Sequence, residues 1–296
     1  MSVLHQPSPI SSRREPSSRS ARRLRSELLN VAKHAFLVLV ALVSLAPFLL
    51  VVTTSLKTKV DAIALPPKFI FVPTLANYVE QLGNEAFFNA VKNSLLIAFS
   101  ATAIATVIGV LAGYALSRFR FRFSGAFGNS FLLLRAVPPI ALVIPYYLIW
   151  GNLHLTNTYV SIIVMYLAIA LPLLVWMMRS FFVEVPIEIE EAALVDGCTR
   201  FQALRLVLIP LVVPGIVAAA GLAFIIIWNE FMFALFNTGV DTRTLPVEIY
   251  NSLGYYETNW AKLSSAAVVA VIPAIIFVAL TQRYIVRGLS MGAVKG

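Results

Sequence analysis

Few residues in this chain have the type and spacing that chemistry requires. The histidines His5, His34 and His154 lie far apart and offer no metal-ligand spacing. No phosphate loop of the form G-x-x-x-x-G-K-[ST] occurs, so the chain does not hydrolyse ATP by that route. No local pattern gathers a serine, a histidine and an aspartate, so no catalytic residues are assigned. The single cysteine, Cys198, excludes an intrachain disulfide and says nothing of an oxidising compartment. The charges that stand out are of two kinds. Arg135 and Glu230 lie inside long apolar stretches. Glu188, Glu190 and Glu191 cluster where the segment "EEAALVDGCTRFQALRLVLIPLVVPG" begins, between two hydrophobic runs.

The elements that must position these groups follow from composition. Of 296 residues, 59% are hydrophobic and 12% charged, against about 25% charged in a soluble domain. Mean hydropathy is +0.84. The expected fold is an all-α membrane protein of six transmembrane helices. The apolar segments are 34–56, 90–116, 127–150, 159–181, 208–235 and 264–285. Pro138, Pro139, Pro145, Pro210 and Pro214 interrupt the third and fifth. Proline in a membrane helix frees backbone carbonyls that other groups must satisfy. Kinks around a translocation path and ordinary bundle packing are both consistent with them.

Sixteen lysines and arginines lie in 1–33, 117–125, 179–206 and 283–296; six lie in 57–92 and 237–262, and none in 151–158. Both termini and the quoted segment are therefore expected on the cytoplasmic side. The net charge of +9 reads as topology and attraction to anionic lipid rather than nucleic-acid binding. Residues 1–33, rich in Ser, Pro and Arg, are expected to be a basic disordered tail. They lack a clear cleavage site and precede a full-length apolar run, so an uncleaved first helix is expected. The transmembrane domain is placed at 34–285, with a cytoplasmic loop at about 182–207 and a C-terminal tail at 286–296. A short helix is expected near 75–82. The tyrosines of 237–262 and Trp260 suit an interfacial belt or a contact with a partner or sugar.

The loop itself reads as two helices. Pro186 suits the first helical turn. Glu188, Glu190 and Glu191 follow where the helix dipole favours acids. Gly197 suits a left-handed position just past the helix end. Thr199 can cap a second helix running through Arg205 towards Pro210. The first helix is about eleven residues, roughly 16 Å, and its small alanines let another surface approach. A short exposed helix of this kind suits a partner's groove. A helix lying on the membrane would carry Lys or Arg on its polar face, whereas this one carries Glu and Asp.

"EAALVDGCTRFQALRLVLIP" resembles the EAA loop of ABC-importer permeases: Glu-Ala-Ala, three residues, Gly, nine residues, then aliphatic-x-Leu-Pro. Here those positions are Glu191, Ala192, Ala193, Gly197, Val207 and Pro210, with Ile209 where Leu is usual and Cys198 at a small-residue position. "NYVEQLGNEAFFNAVKNSLLIA", "GYALSRFRF", "WNEFMFAL" and "VRGLSMGAVKG" resemble the maltose-type second permease of the carbohydrate-uptake branch. The resemblance runs from about residue 40 to the end. It implies a type I importer permease in the bacterial inner membrane, a non-catalytic subunit forming half of the path for a sugar, oligosaccharide, polyol or glycerol-phosphate-type solute. Glu191, Ala192, Ala193, Asp196, Gly197 and Pro210 would couple it to an ATPase dimer that binds ATP and Mg. A second permease would complete a heterodimer, and an extracytoplasmic solute-binding protein would deliver the solute. The chain itself would carry no cofactor and no metal.

Two other classes compete with this one. A secondary transporter would need a relay of intramembrane charges, and only Arg135 and Glu230 are present. An intramembrane enzyme would need a catalytic constellation. Arg135 and Glu230 are not expected to pair: at 1.5 Å per residue they differ in depth by about 20 Å. Glu230, with Trp228 and Asn229, is placed at the outer end of the fifth span, a candidate substrate path. Arg135 either lines that path or satisfies carbonyls freed by Pro138 and Pro139.

Overall fold

The computed structural model describes residues 17–119, 130–131, 133, 136–253 and 258–291. Arg135, Tyr255 and Tyr256, with most of the turn into the third segment, lie outside the described residues. Residues up to Val51 form one unit and those from Val52 onward a second. All the regular secondary structure among the described residues is helical, without a strand.

In the first unit, α1 spans Ser17–Ser55, reaching Val52 and beyond with its last turn. The expected disordered tail through residue 33 is thus helical from Ser17. The cause is local: Ala21, Leu24, Glu27, Leu28 and Leu29 are strong helix formers contiguous with the apolar run. None of the window between Glu27 and Ser55 that is apolar enough to span a membrane is buried.

The second unit holds α2 (Lys59–Ala62), α3 (Ala76–Leu82), α4 (Glu85–Arg118), α5 (Pro139–Asn152) and α6 (Tyr159–Glu184). It continues with α7 (Ile187–Val195), α8 (Arg200–Ala203), a π-turn (Leu204–Leu208) and α9 (Ile209–Trp228). It ends with α10 (Met232–Asn237), α11 (Leu245–Asn251) and α12 (Trp260–Met291). The last helix therefore runs into the expected C-terminal tail. Among the described residues five helices are long and apolar enough to cross a bilayer. α5, at 14 residues, is shorter than the roughly 20 that a span needs; residues 127–129, 132, 134 and 135 of the expected third span are not described.

Caps fix where the long helices begin. Asn84 Oδ1 accepts from the Ala86 and Phe87 amides at 3.0 and 3.3 Å to start α4, and Thr158 Oγ1 accepts from the Ser161 amide to start α6. The core forms where α4, α6 and α9 pack, around wholly buried Phe87, Ile97, Met165, Leu174, Phe182 and Phe224. Along α4 the small residues Ala101, Ala105, Gly109 and Gly113 recur every four positions and so share one face. α6 lies directly on that face: a Cβ on Gly113 would stand 2.5 Å from Met178 Cβ, and one on Gly109 would stand 2.9 Å from Leu174 Cβ. Backbones approach this closely in membranes only over small side chains, because lipid supplies no hydrophobic force between helices.

Side chains also lace the opposite end of the bundle. Asn93 Nδ2 donates to the carbonyls of Asp241 and Arg243, and Tyr159 Oη donates to Asn93 Oδ1 at 2.7 Å. Asn157, at φ 57°, accepts on Oδ1 from the Gly239 amide and Thr242 Oγ1, each at 2.6 Å. The loop between α10 and α11 is thereby tied to the starts of α4 and α6.

Candidate functional site

The α7–α8 loop is built by backbone capping. Pro186 is the N-cap rather than the first helical residue, so α7 is nine residues instead of about eleven. The extended backbone at Pro186, ψ 137°, accounts for the late start. At the other end Asp196 is the C-cap and Gly197 follows at φ +88°. The Cys198 amide donates to Ala193 O at 3.0 Å and the Gly197 amide to Leu194 O at 3.1 Å, the paired bonds of a Schellman motif. Thr199 then caps α8 in a capping box: its Oγ1 accepts from the Gln202 amide while Gln202 Oε1 accepts from the Thr199 amide.

The second helix is not a plain α-helix. After α8 the chain widens into the π-turn, in which the Ile209 amide reaches Leu204 O. Pro210 has no N–H to donate and would press its ring on the carbonyl four residues back. Widening the turn just before it relieves both constraints.

Two carboxylates that are neighbours in sequence part company here. Glu191 is exposed with Ala192, Asp196 and Gly197, while Ala193 is buried. Glu190 turns inward to 2% exposure. Its Oε1 accepts from Tyr114 Oη at 2.6 Å, and its Oε2 accepts from Arg118 Nε at 2.8 Å. Sequence reasoning places Glu190 only in an acidic first turn and misses Tyr114 and Arg118; the one available signal is a second glutamate before the EAA pattern. The exposed side of the loop combines acids with apolar groups, Val195 at 86% and Phe201 at 65%. Pro210 is exposed on α9.

At the far end of α9 the expected span through 235 is cut short. α9 ends at Trp228, and α10 begins at Met232. Glu230 causes the break: its carboxylate accepts from the Phe233 amide at 3.1 and 3.2 Å and from the Ala234 amide at 3.4 Å, capping α10 as an acid caps a helix N-terminus. Trp228 is buried, with Nε1 donating to Ala270 O at 3.1 Å. Asn229 is exposed and donates back to Ile225 O. Trp228 and Glu230 share with Ser94, Tyr166 and Thr244 a cavity of about 10 Å³, room for one water and far too little for a sugar. Glu230→Ala is expected to lower the stability of the assembled protein by about 1–2 kcal/mol through loss of the cap, with Glu230→Asp intermediate. Thermal unfolding in detergent reads this; unchanged melting for Glu230→Ala would contradict the capping role.

The chain thus has five helices long and apolar enough to cross a bilayer among its described residues, and an exposed two-helix loop leading into a proline-bearing helix. A family model described as "Binding-protein-dependent transport system inner membrane component" matches residues 105–291. The chain belongs to that family: it is a multi-pass inner-membrane permease subunit of an ABC importer, whose ATPase is a separate chain. It is 36% identical over 260 residues to a probable ABC transporter permease, y4oR, of Sinorhizobium fredii, covering 88% of this chain and 94% of that one. It is 36% identical to the sulfoquinovosyl glycerol transport permease SmoH of Agrobacterium fabrum, covering 85% and 89%. It is 39% identical to the trehalose transport permease SugB of Mycobacterium tuberculosis, covering 75% and 82%. The fold matches a bacterial ABC transporter involved in the import of the acidic polysaccharide alginate, at TM-score 0.74 and 20% identity, covering 94% of this chain and 99% of that one.

Proposed function

We propose that this chain is one permease of a heterodimer that imports a carbohydrate or related solute, with α7 seated in a cleft of a separate ATPase subunit that binds ATP and Mg. The observation that carries the reading is the exposed face of α7 and α8, where Val195 and Phe201 stand out beside Glu191 and Asp196. Exposed apolar side chains rimmed by acids fit an apolar partner groove with a basic edge. The carbohydrate class is supported by relatives named for trehalose and sulfoquinovosyl glycerol. It is also supported by a cleft of about 450 Å³ at the other end of the bundle, lined by Asn89, Lys92, Asn93, Tyr159 and Asp241. Amides, a phenol, an ammonium and a carboxylate are groups that can read hydroxyls. Of the candidate path residues at this end, Asn229 is the one open to a solute, since Trp228 is buried and Glu230 is engaged at the α10 cap. An extracytoplasmic binding protein would dock over the cleft.

Topology and coupling are tested together with single cysteines in a Cys198→Ser background. An impermeant maleimide is expected to label Val240→Cys in intact cells, where Val240 is 76% exposed. Val195→Cys should label only in inverted vesicles, and only after the ATPase is stripped. The reverse pattern, or equal labelling of Val195→Cys with and without ATPase, overturns the reading. Vanadate-sensitive uptake of radiolabelled disaccharides, polyols and glycerol phosphate then assigns the solute class.

A further inference from the structure

α7 is joined to the bundle by more than its two loop connections. Arg118 is the last residue of α4, and its guanidinium forks between two other elements: Nε donates to Glu190 Oε2 of α7 at 2.8 Å and Nη2 donates to Val185 O at 2.9 Å. Val185 is the C-cap of α6, where helix carbonyls lack partners within the helix. Tyr114, one turn back on α4, donates to the other Glu190 oxygen and meets Phe182 of α6 edge to face at 5.7 Å. Arg200 of α8 stands 3.9 Å from Glu190 Oε1 and lies over the Phe119 ring at 5.2 Å.

The Arg118 and Glu190 side chains are 6% and 3% exposed. A pair buried this deeply contributes little net stability, since desolvation offsets the attraction; what it fixes is geometry, as breaking it strands a buried charge. A planar fork holds its two acceptors at set angles, which a lysine ammonium does not. The small-residue face of α4 then leaves no slack between α4 and α6.

We propose that Arg118 is a positioning residue that locks α7 to the loop-side ends of α4 and α6, so that the three helices move as one body and displacement of α7 reaches the core undiminished. The proposal deepens the coupling role read above for α7 and rests on it. The test places spin labels at Val107→Cys on α4 and at exposed Ile187→Cys at the start of α7, in the Cys198→Ser chain assembled with its partner permease and ATPase in nanodiscs. One narrow inter-label distance, the same without nucleotide and with ATP plus vanadate, is expected. Arg118→Gln and Glu190→Gln should broaden it in both states and lower vanadate-sensitive uptake about tenfold. Arg118→Lys should not restore it, whereas a role of charge alone would be rescued. A wild-type distance that shifts with nucleotide, or a distribution left narrow by Arg118→Gln, overturns the proposal. Should the Arg118 variants fail to assemble, the wild-type comparison and the milder Tyr114→Phe decide it alone. The coupling reading fails separately, through unprotected labelling of Val195→Cys, and the distance measurement reports the lock in either case.

Discussion

Gly113→Leu is expected to abolish accumulation of the folded permease, and Gly113→Ala to destabilise it by about 1–3 kcal/mol or more, the usual range for an overpacked contact. The first added carbon already stands 2.5 Å from Met178 Cβ and 2.8 Å from the Arg179 amide nitrogen. Backbone cannot rotate away as a flexible side chain can, so α4 and α6 must separate. Separation strips contacts from Leu174, Met178 and Phe182 together, because close-packed interiors transmit strain rather than absorb it. The control is Gly151→Ala in α5, where nothing lies within 4 Å of the new carbon. Size-exclusion profiles and melting curves of detergent extracts make the comparison. Equal stability of Gly113→Ala and Gly151→Ala would refute the close approach of α4 and α6.

The second large effect is expected at Gly197, and it should strike coupling rather than folding. The site is open, with nothing within 4 Å of an added Cβ, yet its φ is +88°. Strain there comes from backbone alone, about 1–2 kcal/mol for an ordinary L-residue, and more for a β-branched one. Asn tolerates the left-handed region, so uptake should fall in the order Gly, Asn, Ala, Val. Gly197→Val is expected to lose roughly tenfold of its uptake, a typical coupling free energy, while inserting in the membrane normally. Glu191→Lys should weaken ATPase retention during purification without altering the melting of the permease, since Glu191 is exposed. A flat series at Gly197 with full solute-stimulated ATP hydrolysis would remove the reason to place α7 at the coupling interface.

The sequence by itself determined what depends on neighbours along the chain. Apolar runs near 20 residues marked six spans, because a bilayer sets that length, and five of them are long apolar helices among the described residues. Gly197 and Thr199 announced the turn between α7 and α8, because capping bonds reach only about three to five residues. The Glu-Ala-Ala pattern carried the family. Local reading erred where a distant or backbone group decides. Glu230 ends α9 early because its carboxylate prefers the free amides of α10 to the continuing helix, and hydropathy does not register that choice. Only the tertiary structure told Glu190 from Glu191. The two are adjacent, equally acidic and equally suited to a first turn. Glu190 is buried because Tyr114 and Arg118, more than seventy residues earlier, meet it where α4 ends, and Glu191, about 100° further round the helix, faces outward to whatever partner docks there.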